Sequence, residues 1–237
     1  MDQGLIWLAL GLATMAGASI PLGAALARLE LHIFSNWTKT ELRHGVMAFG
    51  AGALFSAIAL VLVPEGIERL SAIPAVLLFL AGGIGFAWVD RIISSSGSSM
   101  AQFLAMMMDY IPEALALGAI LSGDINAAIL VATLIALQNL PEGFNAMYEM
   151  SESTGKPPSL WLFVMMVPLG PLAAYVGISL PESFGPAIGA VMMFSAGGIL
   201  YLMFQDIAPK VPLEKAILPP LGAVLGFALG LAGDLMT

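Results

Sequence analysis

The sequence contains no cysteine, only two histidines and few charged residues. Without cysteine, the chain can form neither disulfide bonds nor thiolate metal sites. Charged residues make up 10% of the 237 positions, and the formal net charge is -8. The chain therefore lacks the basic surface that binds nucleic acid, and its acidic residues are too few to form a solvated acidic domain.

Most of the remaining residues are apolar. They make up 59% of the chain, and the mean hydropathy is +0.94, above the range of a soluble domain. We therefore predict a single all-α integral membrane domain over residues 1–237. A crossing needs about 20 residues, which predicts eight transmembrane spans. Spans 1 to 8 cover about 5–27, 45–63, 72–89, 100–121, 125–147, 159–180, 186–204 and 217–235.

The basic residues predict how the spans are oriented. Seven of the eight fall on one side of the predicted membrane, and only Arg69 falls on the other. Because basic residues collect on the cytoplasmic side, both termini are predicted outside the cytoplasm, as an even number of crossings requires. The first span is long for a signal peptide and no Lys or Arg precedes it, so we expect it to be retained. The seven cytoplasmic residues are Arg28, Lys39, Arg43, Arg91, Lys156, Lys210 and Lys215.

Two short motifs place ionisable groups inside these apolar spans. Span 4 contains Asp109-Tyr110-Ile111-Pro112-Glu113, and span 5 contains Gln138-Asn139-Leu140-Pro141-Glu142. Each motif places an oxygen-bearing side chain and a Glu four residues apart, on one helix face. Ionisable groups are costly in a membrane and usually functional. Two such pairs facing each other would make a four-ligand cage for a cation, and the prolines would loosen the backbone hydrogen bonding beside it.

Further polar residues extend these two faces toward the cytoplasm. Asn145 and Glu149 continue the face of Gln138 and Glu142 in helical steps, and Gln102 precedes Asp109 by seven residues. They could form an exit path that hydrates a departing cation. Equally, they could be interfacial polar residues or form hydrogen bonds between helices.

The chain also shows an internal repeat. Phe49-Gly50-Ala51-Gly52 in span 2 resembles Phe194-Ser195-Ala196-Gly197 in span 7, and Pro64 and Pro209 keep the same offset of 145 residues. Pro-Leu-Gly recurs in spans 1 and 6, and Gly-Phe-Ala recurs in spans 3 and 8. Because span 1 enters from outside and span 6 from inside, we predict inverted repeats, spans 1–3 and 6–8, around spans 4 and 5.

The paired motifs resemble those of the ZIP (Zrt/Irt-like) family of divalent metal transporters. That family carries His-Asn-x-Pro-Glu-Gly on helix 4 and His-x-x-Pro-Glu-Gly on helix 5. The resemblance covers essentially the whole chain, including Pro-Leu-Gly at 168–170. It implies that the primary metal site is Asp109, Glu113, Gln138 and Glu142. The acidic end of the family's helix 7 corresponds to Gln205 and Asp206.

The resemblance also implies a function. It implies a transporter of zinc, iron or manganese, with cadmium as a surrogate, that carries metal across the cell (inner) membrane toward the cytoplasm. Spans 1, 4, 5 and 6 would slide against a scaffold of spans 2, 3, 7 and 8, in an elevator-like, alternating-access movement. The scaffold would hold the contacts of a homodimer. The metal is the cargo, and no cofactor and no enzymatic activity are expected.

Departures from the family pattern change the expected site. Asp109 and Gln138 replace the two histidines, leaving three carboxylates and one amide, a harder set that shifts preference from zinc toward manganese or iron. The positions of the family's second metal site hold Tyr110, Asn139 and Val167. Only Asn139 is an oxygen donor of the usual kind, so a single ion is expected. The polar segment 94–99 stands where family members carry a His-rich loop.

Alternatives remain at this stage. His32 and His44 flank the first cytoplasmic loop and could collect released metal, although solvated loop histidines are commoner. Fifteen methionines could suggest thioether binding of Cu(I), but Met is also an ordinary lipid-facing and core residue. An intramembrane hydrolase could use Asp109 with Glu113 or Glu142 as an acid and a base. No Ser-His or Cys-His set supports that hydrolase.

Overall fold

The computed structural model describes residues 3–33, 41–95, 101–211 and 216–236. Every regular element in these ranges is helical and none is a strand, which confirms the all-α prediction. Predictions concerning Lys39, residues 96–99 and Lys215 lie outside these ranges. In chain order, the α-helices are α1 (Gln3–Ile33), α2 (Glu41–Ala57), α3 (Val63–Glu68), α4 (Ala72–Ser95), α5 (Ala101–Leu121), α6 (Ile125–Thr154), α7 (Leu160–Val164), α8 (Leu169–Ser179), α9 (Gly185–Leu202) and α10 (Leu218–Asp234).

Six helical stretches in the described part of the chain are long and apolar enough to cross a membrane. They coincide with predicted spans 1, 2, 3, 5, 6 and 7, and they fit a multi-pass membrane protein. Predicted spans 4 and 8 coincide with α5 and α10, which are not among the six. Helix α10 has 17 residues, so it is about 25 Å long and shorter than the roughly 30 Å hydrocarbon core. The six stretches are Gln3–Leu29, His44–Arg69, Ala72–Ile92, Ile125–Thr154, Leu160–Ser179 and Gly185–Gln205.

Several helices are longer than their predicted spans. Helix α6 starts where Asp124 accepts a hydrogen bond from the backbone N–H of Ala127 at 3.0 Å. It ends before Gly155, whose φ of 70° is the left-handed conformation that terminates helices. The prediction ended this span at Met147, because an apolar run marks only the part of a helix inside the hydrocarbon. The capped ends of α6 extend beyond that part.

Two π-helical turns, which the sequence did not predict, interrupt the long helices. The turn Ile58–Leu62 joins α2 to α3, and the turn Met203–Ile207 follows α9. In the first, Val63 N–H donates to the oxygen of Ile58, and in the second, Ala208 N–H donates to that of Met203. A proline follows each turn and cannot donate to the residue four positions before it, so a shift to the wider π pattern keeps the preceding helix continuous.

Predicted span 6 is broken. Helix α7 ends at Val164 and α8 begins at Leu169, with tight turns over the four residues between them. Pro168 stands at the end of this break, where it has no N–H to offer and its ring disfavours helical geometry before it. The break lies beside the Pro-Leu-Gly motif, so predicted span 6 consists of two separate helices, α7 and α8.

The described helices pack in close pairs, and two glycines form the centre of each pair. The four closest pairs are α1 with α6, α2 with α10, α4 with α9 and α5 with α8. A Cβ built on either glycine of a pair would run into the backbone oxygen three residues before the partner's glycine. Such close backbone contact is typical of membrane helices and suits weak Cα–H···O bonds. The glycine pairs are Gly23 with Gly143, Gly52 with Gly226, Gly82 with Gly197 and Gly118 with Gly177.

Candidate metal site

Helices α5 and α6 bring the two predicted motifs together at the centre of the bundle. Each carries its proline inside the helix, Pro112 in α5 and Pro141 in α6. The four predicted ligands all avoid the outer surface. Asp109, Glu113 and Gln138 are buried, with exposed fractions of 7%, 2% and 1%, and Glu142 is half-buried. All four side chains therefore lie away from the outer surface of the described helices.

One direct contact joins the two motifs. The Gln138 Nε2 group donates to both carboxylate oxygens of Glu113, at 2.6 and 2.5 Å. This contact uses the amide nitrogen, and the amide oxygen of Gln138 is buried without a hydrogen-bond partner among the described residues. One carboxyl oxygen of Glu142 is in the same situation. Unsatisfied buried oxygens cost about 1–3 kcal/mol each, so the site has acceptors that a cation would satisfy.

A cavity of about 50 Å³ opens beside these groups. Asp109, Gln138 and Glu142 line one wall, and Asn145 lines it nearer the C-terminal end of α6. Glu113 is not among the lining residues. A water molecule needs about 10–15 Å³ of such volume, so the cavity has room for a partly hydrated ion. The rest of the lining is apolar and includes Met47, Gly50, Leu54, Leu202, Met203 and Ile207.

The described residues do not form a ready-made metal cluster. No three His, Cys, Asp or Glu side chains in that part of the chain lie in a group that could hold one ion. Both oxygens of Glu113 instead accept hydrogen bonds from Gln138. Ligation by the four predicted residues therefore remains a prediction. The structure places three of them around one cavity and the fourth in contact with Gln138.

Tyr110 and Asn139, at two of the positions predicted to weaken a second metal site, contact α1. The Tyr110 hydroxyl donates to the backbone oxygen of Ala13 at 2.9 Å, and Asn139 Nδ2 donates to that of Ala16 at 3.1 Å. Both side chains are buried. The sequence did not predict these contacts. Their acceptors are backbone oxygens of an alanine-rich helix, and no side chain there marks them as hydrogen-bond partners.

The predicted exit path is partly assembled. Asn145 Nδ2 donates to a carboxyl oxygen of Glu149 one helical turn further along α6, at 2.9 Å. Asn145 lines the cavity and Glu149 is half-buried, so the two side chains lead from the cavity toward the end of the helix. Gln205 is exposed and is not a lining residue. The side chains of Gln102 and Asp206 lie outside the described part of the chain.

Other polar groups have local partners at the helix ends. Arg69 forms an ion pair with Glu65 at 2.7 Å, and Tyr201 donates to Asp90 at 3.0 Å, joining α9 to α4. His44 is half-buried, and the side chain of His32 is not described. These contacts give the groups structural roles, apart from the cavity.

Comparisons with known proteins leave the site to be interpreted on its own terms. The chain matches no protein-family model, and no curated protein matches it significantly.

Proposed function

We propose that the protein is a transporter of divalent transition-metal ions. The observation that carries the proposal is a cavity inside a strongly apolar helical protein that is lined by Asp109, Gln138 and Glu142, with Glu113 in contact with Gln138. Buried acceptors without donors favour a cation, and carboxylate and amide oxygens suit divalent metals. The resemblance of both motifs to those of the ZIP family supports the same function.

The four donors would act in two steps. Glu142 and Gln138 each offer an ion in the cavity an oxygen that has no hydrogen-bond partner among the described residues, and Asp109 lines the same cavity. Glu113 can join only when the amide of Gln138 turns its oxygen toward the ion and releases the carboxylate. Because no imidazole is present, the set favours manganese or iron(II) relative to a His-containing site, with zinc and cadmium as further ligands.

The proposal includes eight crossings and inverted repeats, and two structural features support the repeat. The π turns recur at the same 145-residue offset as Pro64 and Pro209. Gly52 and Gly197 share that offset too, and each contacts a partner helix in the same way. In spans 3 and 8, however, the close contacts do not occupy matching positions. Gly226 begins the repeated Gly-Phe-Ala of span 8, whereas the contact of span 3 is made by Gly82, three residues before Gly85 of that motif. The Pro-Leu-Gly matches do not share contacts, since Gly23 meets a backbone oxygen and Gly170 meets Tyr110.

The helix pairs support a movement of two bodies. The pairs α1–α6 and α5–α8 belong to the group of spans 1, 4, 5 and 6, and the pairs α2–α10 and α4–α9 belong to the group of spans 2, 3, 7 and 8. None of the four glycine pairs named above joins one group to the other. A slide of one group against the other would thus leave these contacts intact, as an elevator-like mechanism requires.

The direction of transport follows from the charge distribution. With both termini outside, the C-terminal end of α6 lies at the cytoplasmic side, and so do Asn145 and Glu149. The cavity would then release metal into the cytoplasm.

The test is uptake by liposomes that contain the purified protein. Separate samples receive zinc, manganese, iron(II) or cadmium, with protein-free liposomes as the control. We expect saturable uptake of at least one of these ions and no consumption of a peptide or lipid substrate. Turnover of such a substrate without metal uptake would instead support the hydrolase.

A further inference from the structure

In each motif, the residue that follows the first donor forms a hydrogen bond with helix α1. Tyr110 directly follows Asp109, and Asn139 directly follows Gln138. Their two acceptors, the backbone oxygens of Ala13 and Ala16, lie three residues apart in α1. Positions three residues apart share one face of a helix. One short stretch of α1 backbone therefore receives a hydrogen bond from both site helices.

Tyr110 fits a slot between three helices. Its side chain is 1% exposed. A Cβ on Gly17 of α1 or on Gly170 of α8 would run into its hydroxyl group. The phenol therefore sits where two glycines leave room, and its hydroxyl reaches the α1 backbone through that opening. Asn139 is also 1% exposed, so both donors would lose a buried hydrogen bond if α1 moved away.

Such contacts control how the site helices are turned about their axes. Side-chain atoms lie about 5 Å from the helix axis, so a rotation of about 20° would displace a carboxyl oxygen by nearly 2 Å. Metal–ligand distances tolerate only about 0.2 Å. A hydrogen bond from the residue next to a donor resists this rotation more directly than a contact far along the helix.

We propose that Tyr110 and Asn139 are positioning residues that fasten α5 and α6 to the backbone of α1 and so hold Asp109 and Gln138 at the cavity. This inference rests on the proposed transport function. None of the described side chains of α1 lines the cavity, and this helix supports the two site helices through its backbone. The positions where relatives of the ZIP type would carry ligands for a second ion thus have another use in this chain.

The first test compares two tyrosines in the liposome uptake assay. Tyr110→Phe keeps the ring in its slot and removes the hydrogen bond to Ala13. We expect KM for the transported ion to rise about three- to tenfold while kcat stays within about twofold, because one hydrogen bond is worth about 1 kcal/mol. The control is Tyr201→Phe, which also removes an interhelical phenol contact, at 3.0 Å from Asp90. Its KM should stay at the wild-type value.

The second test disturbs the same contact from the side of α1. Gly17→Ala places a methyl group against the Tyr110 hydroxyl, whereas a Cβ at Gly11 of the same helix meets nothing within 4 Å. We expect Gly17→Ala to raise KM as Tyr110→Phe does, and Gly11→Ala to leave it unchanged. Because the phenylalanine lacks the obstructing oxygen, the double change Gly17→Ala with Tyr110→Phe should raise KM by less than the product of the two single effects.

The outcomes separate the two proposals. If liposomes that contain the wild-type protein take up none of the four ions, the proposed transport function is overturned, and the positioning role with it. Normal wild-type uptake together with unchanged KM in Tyr110→Phe and Gly17→Ala would overturn the positioning role alone. An equal rise in KM in Tyr201→Phe would also overturn it, since general loosening would then explain the effect. A loss confined to kcat would assign the hydrogen bond to movement instead.

Discussion

The helix pairs α2–α10 and α5–α6 make contacts of opposite chemical character, apolar in the first pair and polar in the second. In α2–α10 the backbones meet at Gly52 and Gly226, and the rings of Phe55 and Phe227 pack with centroids 5.8 Å apart. In α5–α6 the contact is the amide of Gln138 on the carboxylate of Glu113. The first arrangement gains free energy from packing, whereas the second keeps polar atoms away from water.

The difference indicates where function lies. An apolar pair of matched shape would hold α5 and α6 together at less cost than a partly satisfied polar one. Polar groups that lower stability in the middle of a membrane are typically functional. Under the proposed function, the glycine contacts stabilise the fold and the α5–α6 contact handles the ion, and each role predicts a different defect on mutation.

The largest expected effect is loss of transport on truncating a ligand. Glu142→Ala should reduce uptake at least about 100-fold, since even partners that only orient ligands cost about 10–100-fold. The thermal unfolding temperature in detergent should not fall, because the change removes a buried oxygen that has no hydrogen-bond partner in the described structure. Glu152→Ala, at an exposed position of the same helix, is the control and should transport normally. Wild-type rates in Glu142→Ala would remove this residue from the site.

The predictions from sequence succeeded where a single helix carries the information. Apolar runs located the helices, and the four-residue spacing placed Asp109 and Glu113 on one face. The contacts between helices were not predictable in this way. Nothing in the sequence indicates that Gln138 offers its nitrogen rather than its oxygen to Glu113, or that Tyr110 finds a backbone acceptor in α1. Those choices depend on distances between helices, which the sequence of a single helix does not contain.

The backbone irregularities illustrate the same limit. Pro64 and Pro209 were visible as repeated prolines, but hydropathy cannot distinguish a kinked helix from one that adopts a π turn. Likewise, the apolar stretch of span 6 gave no sign of the break between α7 and α8, since Pro168 could also have been accommodated by a kink.

A substitution in the apolar pair α2–α10 should have a smaller effect, and it should lower stability and not transport. Gly226→Ala would drive a methyl group into the backbone oxygen of Phe49, which cannot move away as a side chain can. We expect a loss of about 1–3 kcal/mol in the free energy of unfolding, with KM unchanged for the protein that remains folded. Gly83→Ala is the matched control, because its Cβ would meet the oxygen of Gly197 at an ordinary 3.4 Å. Thermal unfolding of both variants in one detergent decides the point.

A change in KM without a change in stability in Gly226→Ala would contradict the structural role of the α2–α10 contact. The apolar pair would then take part in ion binding, contrary to its assignment.

A several-fold effect is expected from exchanging a donor type. Asp109→His introduces an imidazole at the cavity, and zinc gains more from nitrogen ligands than manganese does. The ratio of zinc to manganese uptake in direct competition should therefore rise by about three- to tenfold. Glu152→His adds the same group at an exposed position and should leave the ratio unchanged. An unchanged ratio in Asp109→His would show that helix geometry rather than donor type selects the ion.

The smallest expected effect, on labelling and not on rate, concerns the direction in which the cavity opens. Helix α6 has 30 residues and is therefore about 45 Å long, so its two ends lie on opposite sides of a hydrocarbon core of about 30 Å. The exposed residues Gly123 and Lys156 flank it. Because the chain has no cysteine, Gly123→Cys and Lys156→Cys each provide one thiol. A membrane-impermeant maleimide should label Gly123→Cys in intact cells and Lys156→Cys only after permeabilisation. The reverse pattern would place Asn145 and Glu149 on the outer side, so that the polar path beside the cavity would be an entrance for metal instead of an exit.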